Sequence, residues 1–318
     1  MKIGLITCSL AHLGFDELLP TLAELGLDCV EFGCGPWSPV PHVNVDELIE
    51  SESARQEFKA KLADHGLEIS ALNTAANQLH PRHGKAHDAA VRKTMRLANL
   101  LGLDRVVMMS GLPGSFPGDQ YPNWATTVWP PDNYEILKYQ WEEVAIPYWQ
   151  DLAAYARNLG INRIAVENHP GQLVYNVDTM LRLRQVGGDN VGLNFDPSHI
   201  FWMGGDPLQT MRALGEVIYH VHAKDTRIES NTANTMTDMT PFSEFTKRSW
   251  NYVTVGYGHS EEWWVKFVVG LRMAGYDDVL SIEHEDFMVD ALEGVTKAAA
   301  LLRRVALRLP PSYKDERS

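Results

Sequence analysis

Eight short apolar runs, each giving way to polar residues, constrain this chain more than any other feature. They are IGLITCS (3–9), CVEFG (29–33), EISALNT (68–74), RVVMMSG (105–111), RIAVENH (163–169), VGLNFDPSH (191–199), VIYHVHAKD (217–225) and VLSIEHED (279–286). Their length and their Val and Ile content fit strands buried on both faces. Helical patterns lie between them. Leu18, Leu22 and Leu25 share one face, as do Val91, Met95, Ala98 and Leu101. Four such segments stop at a glycine, Gly26, Gly102, Gly160 or Gly275, the usual helix terminator. Eight strands alternating with helices predict an α/β fold, a single (β/α)8 TIM barrel over residues 1–308. The tail 309–318 is expected to be disordered. The rival is an open doubly wound sheet, but no GxGxxG follows the first run to support a dinucleotide site.

Composition narrows the function classes. The 318 residues carry a formal net charge of −13, which argues against a nucleic-acid partner. No stretch approaches the roughly 18 apolar residues of a membrane span. The start MKIGLITCSL reads as a first strand rather than a leader. Three cysteines, Cys8, Cys29 and Cys34, form no CxxC pair and suggest a reducing compartment. A cytoplasmic enzyme with a small-molecule partner is expected, with no nucleic acid and no membrane involved. A homo-oligomer or a small partner subunit is compatible with the sequence.

Two connections are too long for a simple helical crossover: Leu112 to Lys138, after the fourth strand, and Thr226 to Gly258, after the seventh. Both leave from the barrel face where active sites sit, and long structureless loops there act as lids or binding loops. Trp124 and Trp129 in the first could cover a sugar, or could form an oligomer contact.

The ends of strands five to eight offer Glu167, Asp196, His222 and Glu283, each after an apolar residue and with another polar group soon after it. In a parallel barrel they converge on one mouth. Carboxylates crowded together repel and raise one another's pKa, and a divalent cation removes that cost. Three carboxylates and one imidazole form a hard, oxygen-rich set suited to Mn²⁺, Mg²⁺ or Co²⁺. Asp196 before Pro197 fits a helix cap equally well. His169 lies two residues after Glu167, so on a strand both point to one face. It could act as a base or orient Glu167. Lys224 and Arg227 could hold developing oxyanion, carboxylate or phosphate charge, or form surface salt bridges. Asn73 and His80 could touch substrate, or serve the core or a turn.

On these residues the second half resembles a known family, the xylose-isomerase-like TIM barrels described as sugar phosphate isomerases/epimerases. The stretches that carry the likeness are VENHPG, NFDPSHIFWMGGDP, YHVHAKDT, RSWNYVTVGYGH and AGYDDVLSIEHED, across roughly 160–290. The first half matches in layout and in LDRVVMMSGLPG. The resemblance implies that Glu167, Asp196, His222 and Glu283 bind a divalent metal, often manganese. It also implies that Glu167 and Glu283 serve as acid and base, with His199 near the substrate. The expected activity is sugar isomerisation or epimerisation by proton abstraction next to a carbonyl, through a metal-stabilised enediolate. A Glu-x-His pair like Glu167 and His169 also suits relatives that cleave C- or O-glycosides of 3-keto-sugars. A non-catalytic sugar-binding barrel would show the same metal set. The acidic balance and the single visible cluster point away from the DNA-repair nucleases of the same superfold.

Overall fold

The computed structural model describes residues 1–230 and 233–312; residues 313–318 of the tail expected to be disordered lie outside them. Each apolar run forms a strand, and eight strands close into one parallel barrel. They are β1 (Lys2–Ile6), β2 (Cys29–Gly33), β3 (Glu68–Thr74), β4 (Arg105–Met108), β5 (Arg163–Glu167), β6 (Val191–Phe195), β7 (Ile218–Ala223) and, last in the chain, β10 (Val279–Ile282). Neighbours run in chain order, and β10 closes the ring between β7 and β1. The expected glycine stops all have left-handed φ: Gly26 at 63°, Gly102 at 79°, Gly160 at 74° and Gly275 at 91°. Glycine reaches that region without the steric cost a Cβ imposes.

Alternation along each strand sorts the side chains. Val30, Phe32, Leu72, Val106, Ile164, Val166, Leu193, Phe195, Leu280 and Ile282 join the main core between barrel and helices. Ala71, Val107 and Ala165 form a separate small cluster inside the barrel, closed by Tyr219. One further step along these strands toward the C-terminal mouth, the interior turns polar, with Asn73 and Glu167 following Ala71 and Ala165 on the same face. No helix among the described residues is long and apolar enough to cross a membrane.

The two long connections are not structureless. The first ends in a helix, Asp132–Lys138, that runs through a π-turn, Tyr139–Ala145, into the helix Ile146–Asn158. The second folds into a hairpin of β8 (Asp225–Ile228) and β9 (Trp250–Val253), paired antiparallel. Sequence reading misses the hairpin because each strand has only four residues and the run VIYHVHAKD spans two sheets, with Lys224 as the only link. Asp225 anchors the hairpin's base. Its Oδ2 accepts the backbone N–H groups of Gly256, Gly258 and His259 at 3.0–3.2 Å. Its Oδ1 faces His259 Nδ1 at 2.8 Å.

Gly258 allows that approach. A Cβ there would lie 2.3 Å from the Thr226 carbonyl oxygen and 2.7 Å from Asp225 Oδ1. Gly258→Ala is therefore expected to destabilise the protein by about 1–3 kcal/mol, the usual cost of overpacking. Denaturant unfolding checks this, and an unchanged midpoint would contradict the anchoring role.

Candidate metal centre

Four neighbouring barrel strands deliver four ligand-type side chains to one point. Glu167 ends β5, Asp196 follows β6, His222 is next to last in β7 and Glu283 follows β10. One ligand atom from each lies within 4.8 Å of those from the other three. His222 Nδ1 is 2.9 Å from Glu283 Oε2 and 3.5 Å from Glu167 Oε2. Asp196 is placed for either part that its sequence context allows. Its Oδ1 caps the helix Pro197–Trp202 by accepting the Ser198 N–H at 2.8 Å, and its Oδ2 turns into the cage. Asp196 Oδ2, His222 Nδ1 and Glu283 Oε2 are buried and make no well-aligned hydrogen bond; they face one another and His199 Nε2 instead. Buried polar atoms are normally satisfied, so three such atoms converging on one cage fit a divalent cation. The oxygen-rich donor set suits Mn²⁺, Mg²⁺ or Co²⁺.

The electrostatics separate the two glutamates. Burial, with Glu283 nearby, raises the pKa of Glu167 despite His199 and His222. Burial works against Glu283 as well, but Lys224 and His222 overcome it and hold that carboxyl far below its ordinary value. His199 bridges Glu167 Oε1 and Asp196 Oδ2, each at 3.1 Å from its Nε2. Burial would lower this imidazole, yet Asp196 and Glu167 raise it to about 9. Its Nδ1 faces the Tyr252 hydroxyl at 2.9 Å.

Beneath the cage lies a carboxylate that sequence reading overlooked. Glu31, fully buried in β2, faces His222 Nε2 at 3.1 Å and His220 Nε2 at 2.8 Å. It also accepts Ser281 Oγ at 2.6 Å and Asn73 Nδ2 at 2.8 Å. A proton on His222 Nε2, given to Glu31, leaves Nδ1 as the ligand, the usual carboxylate–histidine–metal order. Two signals were available: one charge inside the apolar run CVEFG, and the His-x-His spacing that puts His220 on the face of His222. Asn194 Nδ2, also overlooked, donates to Glu167 Oε2 at 3.3 Å.

The remaining expected residues divide. His199 and Lys224 are at the centre. Lys224 is buried, not on the surface; its Nζ lies 3.2 Å from Glu283 and 2.5 Å from Glu285, and 4.3 Å from the centre of the Tyr252 ring. His169 packs on His199 with ring centroids 4.3 Å apart. Burial, with His199 and Lys224 nearby, lowers its pKa to about 3. Asn73 supports Glu31. Arg227 lies in β8, with its guanidinium on Glu229 at 2.7 Å. His80 takes a turn role, with Nδ1 accepting the N–H of Arg82 at 3.0 Å. Trp124 lines a cavity of about 190 Å³ with Leu112, Gln172 and Tyr175. Among the described residues, no hydrogen bond, ion pair or ring contact joins Arg227, His80 or Trp124 to the four cage residues.

A family model described as the xylose isomerase-like TIM barrel matches residues 19–305. The chain is 45% identical over 309 residues to the protein YfiH of Bacillus subtilis (strain 168), covering 96% of this chain and 99% of YfiH. Its fold is similar to that of the probable 3-DHS dehydratase AsbF of Bacillus anthracis, with TM-score 0.67, 19% identity and coverage of 95% and 99%. It is also similar to D-psicose 3-epimerase of Clostridium cellulolyticum H10, solved with D-tagatose, with TM-score 0.62, 15% identity and coverage of 96% and 99%. At those identities the two solved structures share the fold alone.

Two outcomes follow from the cage. Glu31→Gln removes the acceptor that fixes His222, and is expected to weaken divalent-cation binding about 10–100-fold. Calorimetric titration reads this, and unchanged affinity would contradict the orienting role. A cation must also displace the proton on His222, whose pKa burial would lower but Glu31 and Glu283 hold well above its ordinary value, and it repels the proton that His199 holds up to about 9. Binding at pH 7 should release protons, and apparent affinity should climb with pH through about 9. Titration in buffers of different ionisation enthalpy measures the release. A pH-independent affinity would contradict it.

Proposed function

This chain belongs to the xylose isomerase-like TIM barrel family, and from that premise we propose that it is a divalent-metal-dependent sugar isomerase or epimerase. The observation that carries the proposal is the geometry of the cage, in which Glu167 and Glu283 each turn one oxygen toward the shared point while His199 and Lys224 hold the other. Two carboxyl groups set against different partners are the usual acid and base pair. When bound, the cation, Mn²⁺ by preference, with Mg²⁺ or Co²⁺ also fitting, supplies Lewis-acid polarisation of a substrate carbonyl.

The chain's own residues do the proton work. One of Glu167 and Glu283 takes the proton from the carbon next to the carbonyl, and the other returns one. Positioned proton transfer of this kind contributes about 10²–10⁴-fold. Lys224 also places a buried ammonium beside the oxygen that gains charge. Tyr252 and His199 offer a hydroxyl and an imidazole to hold a sugar hydroxyl. His169 packs on His199 with ring centroids 4.3 Å apart, which suits it to orienting that imidazole. Three free cysteines support a reducing, cytoplasmic setting.

One feature favours a second reading. A cavity of about 350 Å³, lined by Phe242, Tyr252, Glu285 and Phe287 among others, adjoins Lys224. Phe242 stacks on Tyr252 at 5.5 Å and on Phe287 at 5.7 Å. Such a wall suits a glycoside whose apolar group is expelled from a 3-keto-sugar by the same proton abstraction.

The deciding experiment incubates the Mn²⁺-loaded protein with a panel of ketosugars and 3-keto-glycosides in D₂O. Isomerase or epimerase action incorporates deuterium beside the carbonyl and yields sugars only. Lyase action releases the aglycone. Glu283→Gln should reduce either by about 10²–10⁴-fold. Full activity in that variant would overturn the assignment, and exchange with no substrate of the panel would favour a binding-only barrel.

A further inference from the structure

Behind the loop that follows β4 lies a cavity of about 190 Å³ that the metal cage does not use. Trp124, Gln140, Trp141, Gln172, Tyr175 and Arg182 are among the residues that line it. We propose that this cavity binds one neutral sugar ring or a short polyol. The site needs no cation, so it is independent of the reading above.

Unmet hydrogen bonds carry the proposal. The amide nitrogen of Gln140 donates to the carbonyl oxygens of Pro113, Gly114 and Asn123 at 3.2, 3.1 and 2.7 Å. Three acceptors fix which side of that amide is nitrogen, so its oxygen faces the other way. That oxygen is buried without a partner, as are Gln172 Oε1 and the Trp124 indole nitrogen. Gln140 is fully buried and Gln172 is only 4% exposed, so bulk water does not serve them. Buried polar groups are normally paired, and three unpaired ones on residues of one cavity wall point to a guest.

The same atoms specify the guest. Two amide oxygens accept hydrogen bonds and one indole N–H donates. Hydroxyl groups do both, and they answer that demand without charge. No histidine or cysteine lines the cavity, so the donor chemistry of the cage is not repeated. Aromatic surface supplies the rest of the wall. Trp124 meets Tyr175 edge-on with ring centroids 5.4 Å apart, and the Arg182 guanidinium lies 4.5 Å from the centre of the Trp141 ring. Aromatic walls with a few placed polar groups are the usual make-up of a small-molecule pocket. The backbone is shaped to match. Gln140 and Trp141 both stand in the π-turn Tyr139–Ala145, a rare conformation that recurs at functional sites. Gln172 lies in the loop after β5, three residues beyond His169, so the cavity flanks the barrel mouth.

The test uses the full chain stripped of metal by chelation. A panel of hexoses, pentoses and alditols is titrated in and binding is read by calorimetry. At least one member is expected to bind. Gln172→Met removes the unpaired oxygen at similar volume, and Trp124→Phe removes the indole N–H while keeping a ring. Each should weaken binding by about 3–10-fold, the worth of one neutral hydrogen bond, and Glu283→Gln should leave it unchanged. A second readout needs no variant: a crystal soaked with the bound sugar should show its ring in the cavity, with hydroxyls on Gln140 Oε1 and Gln172 Oε1. Failure of the whole panel to bind the metal-free chain would overturn the site. So would binding that Glu283→Gln abolishes and Gln172→Met leaves intact, which places the sugar at the cage. A soaked crystal with ordered water alone on the three atoms would also overturn it.

Discussion

Like charge buried at the barrel mouth is the constraint on which the rest of the site depends. Glu167, Asp196 and Glu283 are held together with little access to water, and each would resist ionisation alone. Every neighbouring element supplies something to offset that. Lys224 brings a buried ammonium, and His199 and His222 bring imidazoles that the carboxylates make more basic. A divalent cation does the same with one charge centre and satisfies the converging ligand atoms as well.

The cage has a floor and a roof built on different principles. The floor is Glu31, held by four hydrogen-bonding side chains, His220, His222, Ser281 and Asn73, from β7, β10 and β3. That saturation keeps a fully buried carboxylate ionised, since burial alone would neutralise it. The roof is the β8–β9 hairpin, fixed by the buried Asp225 against three backbone N–H groups. Its strand β9 brings Tyr252 against both His199, in the short helix after β6, and Lys224, the link after β7. A loop folded as a hairpin is stiffer than a structureless lid, so the aromatic wall beside the centre is preformed.

Much of this was legible in the chain. Strand count and type followed from eight apolar runs, and the helix stops followed from Gly26, Gly102, Gly160 and Gly275. The four cage residues were legible because each stands at a strand's end, where a polar residue after an apolar run has few structural reasons to be there. Glu31 was harder. A charged residue in mid-strand carries no sign of which face it occupies, and its four partners come from 42 to 250 positions away. For Lys224 the sequence leaves open a cation over developing oxyanion charge or a surface salt bridge, because Lys rarely lies buried; its partners Glu283 and Glu285 are far along the chain. Tyr252 gave no local signal at all, because its role exists only once β9 folds back over the mouth.

The sequence by itself determined the periodicities: which segments become strands, where helices stop, and which residues fall at the C-terminal end of each strand. These are local properties, set by the spacing of apolar residues and by backbone freedom at glycine. Tertiary structure alone decided which charges face one another, which proton each imidazole carries, and which oxygen of Glu167 looks which way. Those are pairwise properties of groups brought together by barrel closure, and the energies that govern them depend on distance and burial, neither of which a single chain position encodes.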